Sequence, residues 1–129
     1  MSTNISPATL PFRESVIADR TIYISGKIGI DPATGSLPSE GFEAEADQVM
    51  KNLGTALRNQ GLDYSDLVSV TIYLKSMAQY STANAIYSNY FKGEFPARVC
   101  IAVLDLPLNA SIEIAGIAYV SPDRQPKNN

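Results

Sequence analysis

Two ionisable side chains stand where an ion is costly. Arg98 lies in the run Phe95-Pro96-Ala97-Arg98-Val99-Cys100-Ile101-Ala102-Val103, and Glu113 lies in Ser111-Ile112-Glu113-Ile114-Ala115. Both runs read as β-strands. Two-residue alternation puts Val99, Ile101 and Val103 on one face of the first strand, with Arg98 and Cys100 on the other. In the second, Ile112 and Ile114 share a face and Glu113 points opposite. A charge on a half-buried strand needs a partner or a ligand. A guanidinium presents a planar fork of donors that suits a carboxylate in two parallel hydrogen bonds, so Arg98 would clamp a small acid. Glu113 would move a proton or orient a water as a general base. The competing reading is an ion pair between the two, or with another subunit, and the residues alone leave both open.

Other chemistry-bearing residues are fewer than usual. The chain has no histidine, which removes most zinc sites and every Ser-His-Asp arrangement. Cys100 therefore lacks the usual activating base and reads better as a small buried hydrophobe than as a nucleophile. Asn84, in Thr82-Ala83-Asn84-Ala85-Ile86-Tyr87, either positions a ligand or faces solvent. Ser25 ends a strand beside Gly26, where a hydroxyl or backbone N–H can meet a polar ligand, though a plain turn residue reads as well. Asp31-Pro32 and Asp105-Leu106-Pro107 read as turn chemistry. No phosphate loop, metal-ligand cluster or dinucleotide fingerprint occurs.

At 129 residues the chain suits one domain with its own core. The net charge of −3, without a basic run, does not favour a nucleic-acid partner. A single cysteine and the absence of a signal-like N-terminus make the cytoplasm the expected location. No apolar run is long enough to span a membrane.

The elements that must hold these residues follow from periodicity. Residues 1–10 read as a flexible lead-in. Arg13–Ala18 and Thr21–Ser25 read as a hairpin with Asp19-Arg20 at its tip, and Lys27–Ile30 reads as an extension of it. Helical spacing of Phe42, Ala46, Val49, Leu53, Ala56 and Leu57 predicts a helix over Phe42–Gln60. Glu43, Glu45, Asp47, Lys51 and Arg58 lie on its other faces, and Gly61 closes it. Leu67–Leu74 reads as a strand with Val68, Val70, Ile72 and Leu74 on one face. A second helix is expected from about Met77 to Lys92, with Tyr80, Ala83, Tyr87, Tyr90 and Phe91 inward and Gly93 at its end. The order is strand-strand-helix-strand-helix-strand-strand, an α+β layer with a mixed β-sheet and two helices on one face. The opposite face, carrying Ala102, Leu104, Ala115, Ile117 and Tyr119, is too apolar to stay wet, so a homo-oligomer should bury it, the alternative being a loop folded back over it. Residues 121–129 are polar and are expected to be a disordered tail.

Taken in order, Tyr23-Ile24-Ser25-Gly26, Ile30-Asp31-Pro32-Ala33-Thr34-Gly35, Asn52-Leu53, Asn84-Ala85-Ile86-Tyr87, Tyr90-Phe91, Pro96-Ala97-Arg98-Val99-Cys100 and Ile112-Glu113-Ile114 resemble the reactive intermediate deaminases, the Rid or YjgF-type proteins. The resemblance runs from about Leu10 to Val120. It implies a chorismate-mutase-like fold and a homotrimer with ligand sites at subunit interfaces. The implied activity is hydrolysis of 2-imino acids, released by pyridoxal-phosphate enzymes, to 2-keto acids and ammonia, with no metal and no organic cofactor. Carried over by position, Arg98 would grip the substrate carboxylate and Glu113 would activate water. Cys100 would act through its backbone N–H, while Ser25 and Asn84 would line the pocket.

The chain departs from the family pattern at several places. Phe12 follows Pro11 where the family usually has tyrosine, so a pocket hydroxyl would be missing at that substrate-lining position. Arg13 and Lys27 stand where a small residue and glutamine are common. Ala115 replaces a frequent acid, and Val99 a small polar residue. Two alternatives to the imine deaminase follow, a non-catalytic trimeric binder of small carboxylates and a pathway-specific enamine deaminase of the aminomuconate type. The ribonuclease and chaperone-like activities attributed to the family gain no support from an acidic, histidine-free chain.

Overall fold

The computed structural model describes residues 10–123; of the ends expected to be flexible, 1–9 and 124–129 lie outside the described residues, whereas the carbonyls of Ser121 and Pro122 accept from the Arg20 guanidinium at 2.8 and 3.1 Å. Among the described residues seven strands and α-helices follow one another, with three short 3-10 turns between them: β1 (Ser15–Ala18), β2 (Thr21–Lys27), α1 (Phe42–Asn59), β3 (Leu67–Leu74), α2 (Tyr80–Ser88), β4 (Ala97–Ala102) and β5 (Ile112–Tyr119). They build one five-stranded sheet in the order β1-β2-β5-β3-β4. All neighbours are antiparallel except β3 and β4, which are parallel.

This order explains why both helices lie on one face. The last strand, β5, runs antiparallel to both β2 and β3 and fills the gap between them. Strands β2, β3 and β4 therefore point the same way, and α1 and α2 are the crossovers that join them. Two right-handed crossovers stepping in the same direction along a sheet put their helices on the same side. The core lies between that side and α1, with Ile22, Val49, Met50, Leu53, Leu57, Val70, Ile72, Leu74, Ile112 and Ile114 essentially inaccessible.

Helix α1 matches its apolar stripe, and Gly61 takes the left-handed backbone (φ 76°) that ends it. Glu45 departs from expectation. It is buried, and its Oε2 accepts the Ser111 backbone N–H at 2.7 Å, holding the chain just before β5. In β3 the expected face is wrong at one end. The pairing register shifts between Leu67 and Ser69, a bulge that turns Leu67 inward and leaves Val68 50% exposed. The second helix is shorter than its periodicity suggests. Asn89, Tyr90 and Phe91 donate to Ile86, Tyr87 and Ser88, three residues back, so the last turn tightens and the helix stops at Ser88. Tyr80, expected inward, sits at the rim.

The face away from the helices carries Val16, Tyr23, Tyr73, Ala115, Ile117 and Tyr119 by register. Ala102 is not on it, because it pairs with the buried Leu74; Leu104 lies beyond the end of β4. Val99 and Ile101 take that place instead, 55% and 44% exposed. Among the described residues no helix is long and apolar enough to cross a membrane.

Candidate active site

The register decides how Arg98 and Glu113 relate. Ile72 pairs with both Cys100 and Ile114, whereas Tyr73 pairs with both Ile101 and Glu113. Arg98 and Cys100 thus share the helix side with Ile114, and Glu113 faces the other way with Tyr73 and Ile101. An ion pair within one chain is ruled out by the sheet itself. The described residues give neither ion an oppositely charged partner.

On the helix side, at the edge strand β4, Arg98 rests on α2. Its guanidinium carbon lies 5.0 Å from the ring centre of Tyr87 and 5.8 Å from that of Tyr80. Its Nη2 donates to Tyr80 Oη at 3.4 Å. Asn84 and Tyr87 stand on the same helical stripe. Asn84 Oδ1 and Tyr87 Oη are shielded from water without a hydrogen-bond partner. Burial pushes the Tyr87 phenol up to about 12 against the opposing pull of Arg98, so it stays protonated at neutral pH. Burial likewise raises the Cys100 thiol, again against Arg98. A thiol held in its neutral form is a poor nucleophile, in line with the small-hydrophobe reading.

On the open side, Glu113 reaches across β2 at Gly26. A Cβ at position 26 would stand 1.9 Å from Glu113 Oε2, so the glycine is what admits the carboxylate there. Burial raises the Glu113 carboxyl above its ordinary value of 4.5. Desolvation makes it a stronger base than a surface carboxylate. Next to it the Ser25 hydroxyl donates to the Arg13 carbonyl at 2.6 Å, and the Ser25 N–H to the Glu14 carbonyl at 3.0 Å. The hydroxyl proton is therefore engaged locally, and its oxygen lone pairs remain to meet a ligand. Phe12, half-exposed, lines a cavity of about 440 Å³ with Leu10, Arg13, Glu14, Ser15, Lys27 and Gln60. Lys27 pairs with Glu14 at 3.4 Å, and Asn59 donates to the same carboxylate at 3.0 Å. The positive charge of Lys27 at this pocket is thus already countered.

The six sequence-predicted residues accordingly form two groups. Arg98 and Cys100 share the helix side of β4, and Asn84 stands on the α2 stripe whose Tyr80 and Tyr87 hold Arg98; Glu113, Ser25 and Phe12 belong to β5 and the β1–β2 hairpin with its approach. Sequence reasoning missed the aromatic bed of Arg98, since Tyr80 and Tyr87 read as ordinary core positions. The available signal was their seven-residue spacing, which puts both on one stripe with Asn84.

A family model described as Endoribonuclease L-PSP matches residues 3–120. The chain belongs to this family. A Homo sapiens relative named 2-iminobutanoate/2-iminopropanoate deaminase is 42% identical over 123 residues, 95% of this chain and 90% of the relative. Among solved structures, the Rid-family protein YyfA from Yersinia pestis superposes with a TM-score of 0.84 at 35% identity, covering 93% of this chain and 96% of its own. Escherichia coli TdcF, solved with bound serine, gives 0.84 at 25% identity over 94% and 97%.

In this L-PSP/Rid chain two of the remaining motifs have structural explanations. The Asp31 carbonyl accepts Thr34 N–H at 3.1 Å and Gly35 N–H at 2.8 Å, and the Asp31 side chain accepts Ala33 N–H at 2.9 Å. Asn52 on α1 donates to the carbonyls of Ile28 and Ile30, both at 2.9 Å. It thereby ties the segment after β2 to the helix. Asn52→Ala would strand two part-buried carbonyls and is expected to cost about 1–3 kcal/mol. A lower urea midpoint with an unchanged slope, at fixed protein concentration, is the expected reading. An unchanged midpoint would show that water replaces the amide without loss.

Proposed function

We propose that this protein hydrolyses reactive 2-imino acids and their enamine tautomers to 2-keto acids and ammonia, in sites built between copies of the chain in a homotrimer. The observation that carries the reading is the 42% identity, over 95% of the chain, to a relative named for that reaction. Its physical basis is a cation on an aromatic bed and a desolvated carboxylate, each without a countercharge among the described residues.

Arg98 would hold the substrate carboxylate in two parallel hydrogen bonds, which fixes the iminium carbon in place. Glu113 takes a proton from water as the water oxygen bonds to that carbon. The carbinolamine nitrogen then accepts the proton held by Glu113. The C–N bond breaks with its electron pair going to nitrogen, which leaves as ammonia; the hydroxyl proton is lost as the C=O forms and converts the ammonia to ammonium. No covalent nucleophile is needed, because a protonated imine carbon is already electrophilic. Cys100 would contribute through its backbone on the edge strand, with Asn84, Ser25 and Phe12 around the substrate. Bound serine in TdcF supports a ligand of the small amino or imino acid class.

The separation of Arg98 and Glu113 by the sheet supports an intersubunit site, because one chain cannot offer both to one substrate. The apolar open face supports the assembly that would bring them together. Pyridoxal-phosphate enzymes that eliminate water from hydroxyamino acids would supply the imine. The test adds catalytic amounts of protein to a threonine dehydratase reaction containing semicarbazide. The trapped imine should fall and free 2-oxobutanoate should rise in proportion to added protein. A fall only at stoichiometric amounts would identify a binder and overturn the enzymatic reading.

A further inference from the structure

We infer that Tyr80 is the positioning residue for the Arg98 clamp, fixing the guanidinium plane so that its outer edge is presented to a carboxylate; the inference rests on the reading of Arg98 given above. Tyr80, Asn84 and Tyr87 follow at helical spacing on α2, so they share the stripe that meets Arg98. Tyr87 is only 5% exposed and forms the floor, while Tyr80 is 39% exposed and stands at the rim. The two rings, at 5.0 and 5.8 Å, hold the cation by their π faces.

Ring contact alone leaves a guanidinium free to turn in its own plane. The Tyr80 hydroxyl removes that freedom by accepting from Nη2 at 3.4 Å, the one hydrogen bond that the Arg98 side chain makes among the described residues. It occupies one of five N–H donors and leaves the others for a ligand. The stripe also carries a sign that something polar is meant to fill the space. Asn84 Oδ1 and Tyr87 Oη are both buried without a partner, and such atoms are costly to leave unmet. A lysine at position 98 would gain nothing from this arrangement, because an ammonium has no plane to fix.

The test uses 2-oxobutanoate as a probe of carboxylate binding and 2-oxobutanamide as its uncharged counterpart. Both are titrated against wild type, Tyr80→Phe, Tyr80→Ala and Arg98→Ala, each checked for wild-type circular dichroism and assembly mass. Tyr80→Phe keeps the ring and should weaken the keto acid about three- to tenfold, the worth of one hydrogen bond. The amide should be unaffected. Tyr80→Ala loses the ring as well and should weaken the acid further. In turnover the Phe variant should raise KM with kcat nearly constant, as expected for an interaction equally present before and in the transition state. Keto acid binding by Tyr80→Phe at wild-type strength would overturn the inference, as would equal losses for acid and amide. Wild-type keto acid binding by Arg98→Ala would remove the clamp and the inference with it. Absence of imine turnover in wild type would defeat only the enzymatic reading, since the titrations still report the role of Tyr80.

Discussion

Glu113→Gln is expected to lower imine turnover by about 10²–10⁴-fold, the usual worth of a positioned general base. Fold and assembly should be intact. Glutamine keeps the shape beside Gly26 and loses only the capacity to take a proton. The carboxyl is raised by burial, and the sign of that shift makes two further outcomes definite. The acidic limb of the kcat/KM profile should lie above the ordinary 4.5 and disappear in the glutamine variant. A folded value above the unfolded one means that ionised Glu113 costs stability. Its contribution is most favourable below the unfolded value and is lost as pH rises through the folded value. Glutamine should therefore be no less stable than wild type at neutral pH. Gly26→Ala gives an independent reading of the same geometry, since its Cβ would displace the carboxylate and lower turnover without removing any ionisable group. Full activity of Glu113→Gln would transfer the role of base to water or to the substrate's own amine.

Arg98→Ala is the second large effect. Two charge-assisted hydrogen bonds at about 1.5–3 kcal/mol each amount to roughly 10²–10⁴-fold in kcat/KM, carried mostly by KM. Arg98→Lys should recover only part of this, because a point charge does not reproduce the fork. The same variant also tests where the site is built. Arg98→Ala and Glu113→Gln, each nearly inactive alone, should regain activity when unfolded and reassembled together. At equal mixing about a quarter of the subunit boundaries receive an intact residue from each side. No recovery in mixed assemblies of verified composition would mean that each site takes both residues from a single chain, which the sheet forbids without refolding.

The sequence made some of this readable for definite reasons. Helix α1 and strand β3 were legible almost to the residue, because eighteen and eight residues respectively give a periodic pattern many chances to repeat. The face of Val68 was not, since a one-residue bulge leaves no mark in the alternation that it interrupts. The end of α2 was hidden too, because a tightened last turn keeps its aromatic residues on nearly the same side. For the site, alternation gave the right side for Arg98 with Cys100 inside one strand, and for Glu113 inside another. It was silent on how those strands are related. That depended on β5 inserting beside β3, so that Tyr73 and Ile72 separate the two ions onto different sides. Tyr80 and Tyr87 were visible as aromatics but not as the bed of a cation, a role that exists only once β4 lies beside α2.

With the site built between copies of the chain, as proposed, the division of the two ions by the sheet would also govern how the protein behaves as it becomes scarce. A folded monomer would hold a complete fold and half a reaction centre on each side. Activity per chain would then fall on dilution below the assembly threshold although every residue is in place, and would return on concentration. Abundance, rather than any effector, would act as the switch: cells holding little of the protein would have almost none of its activity.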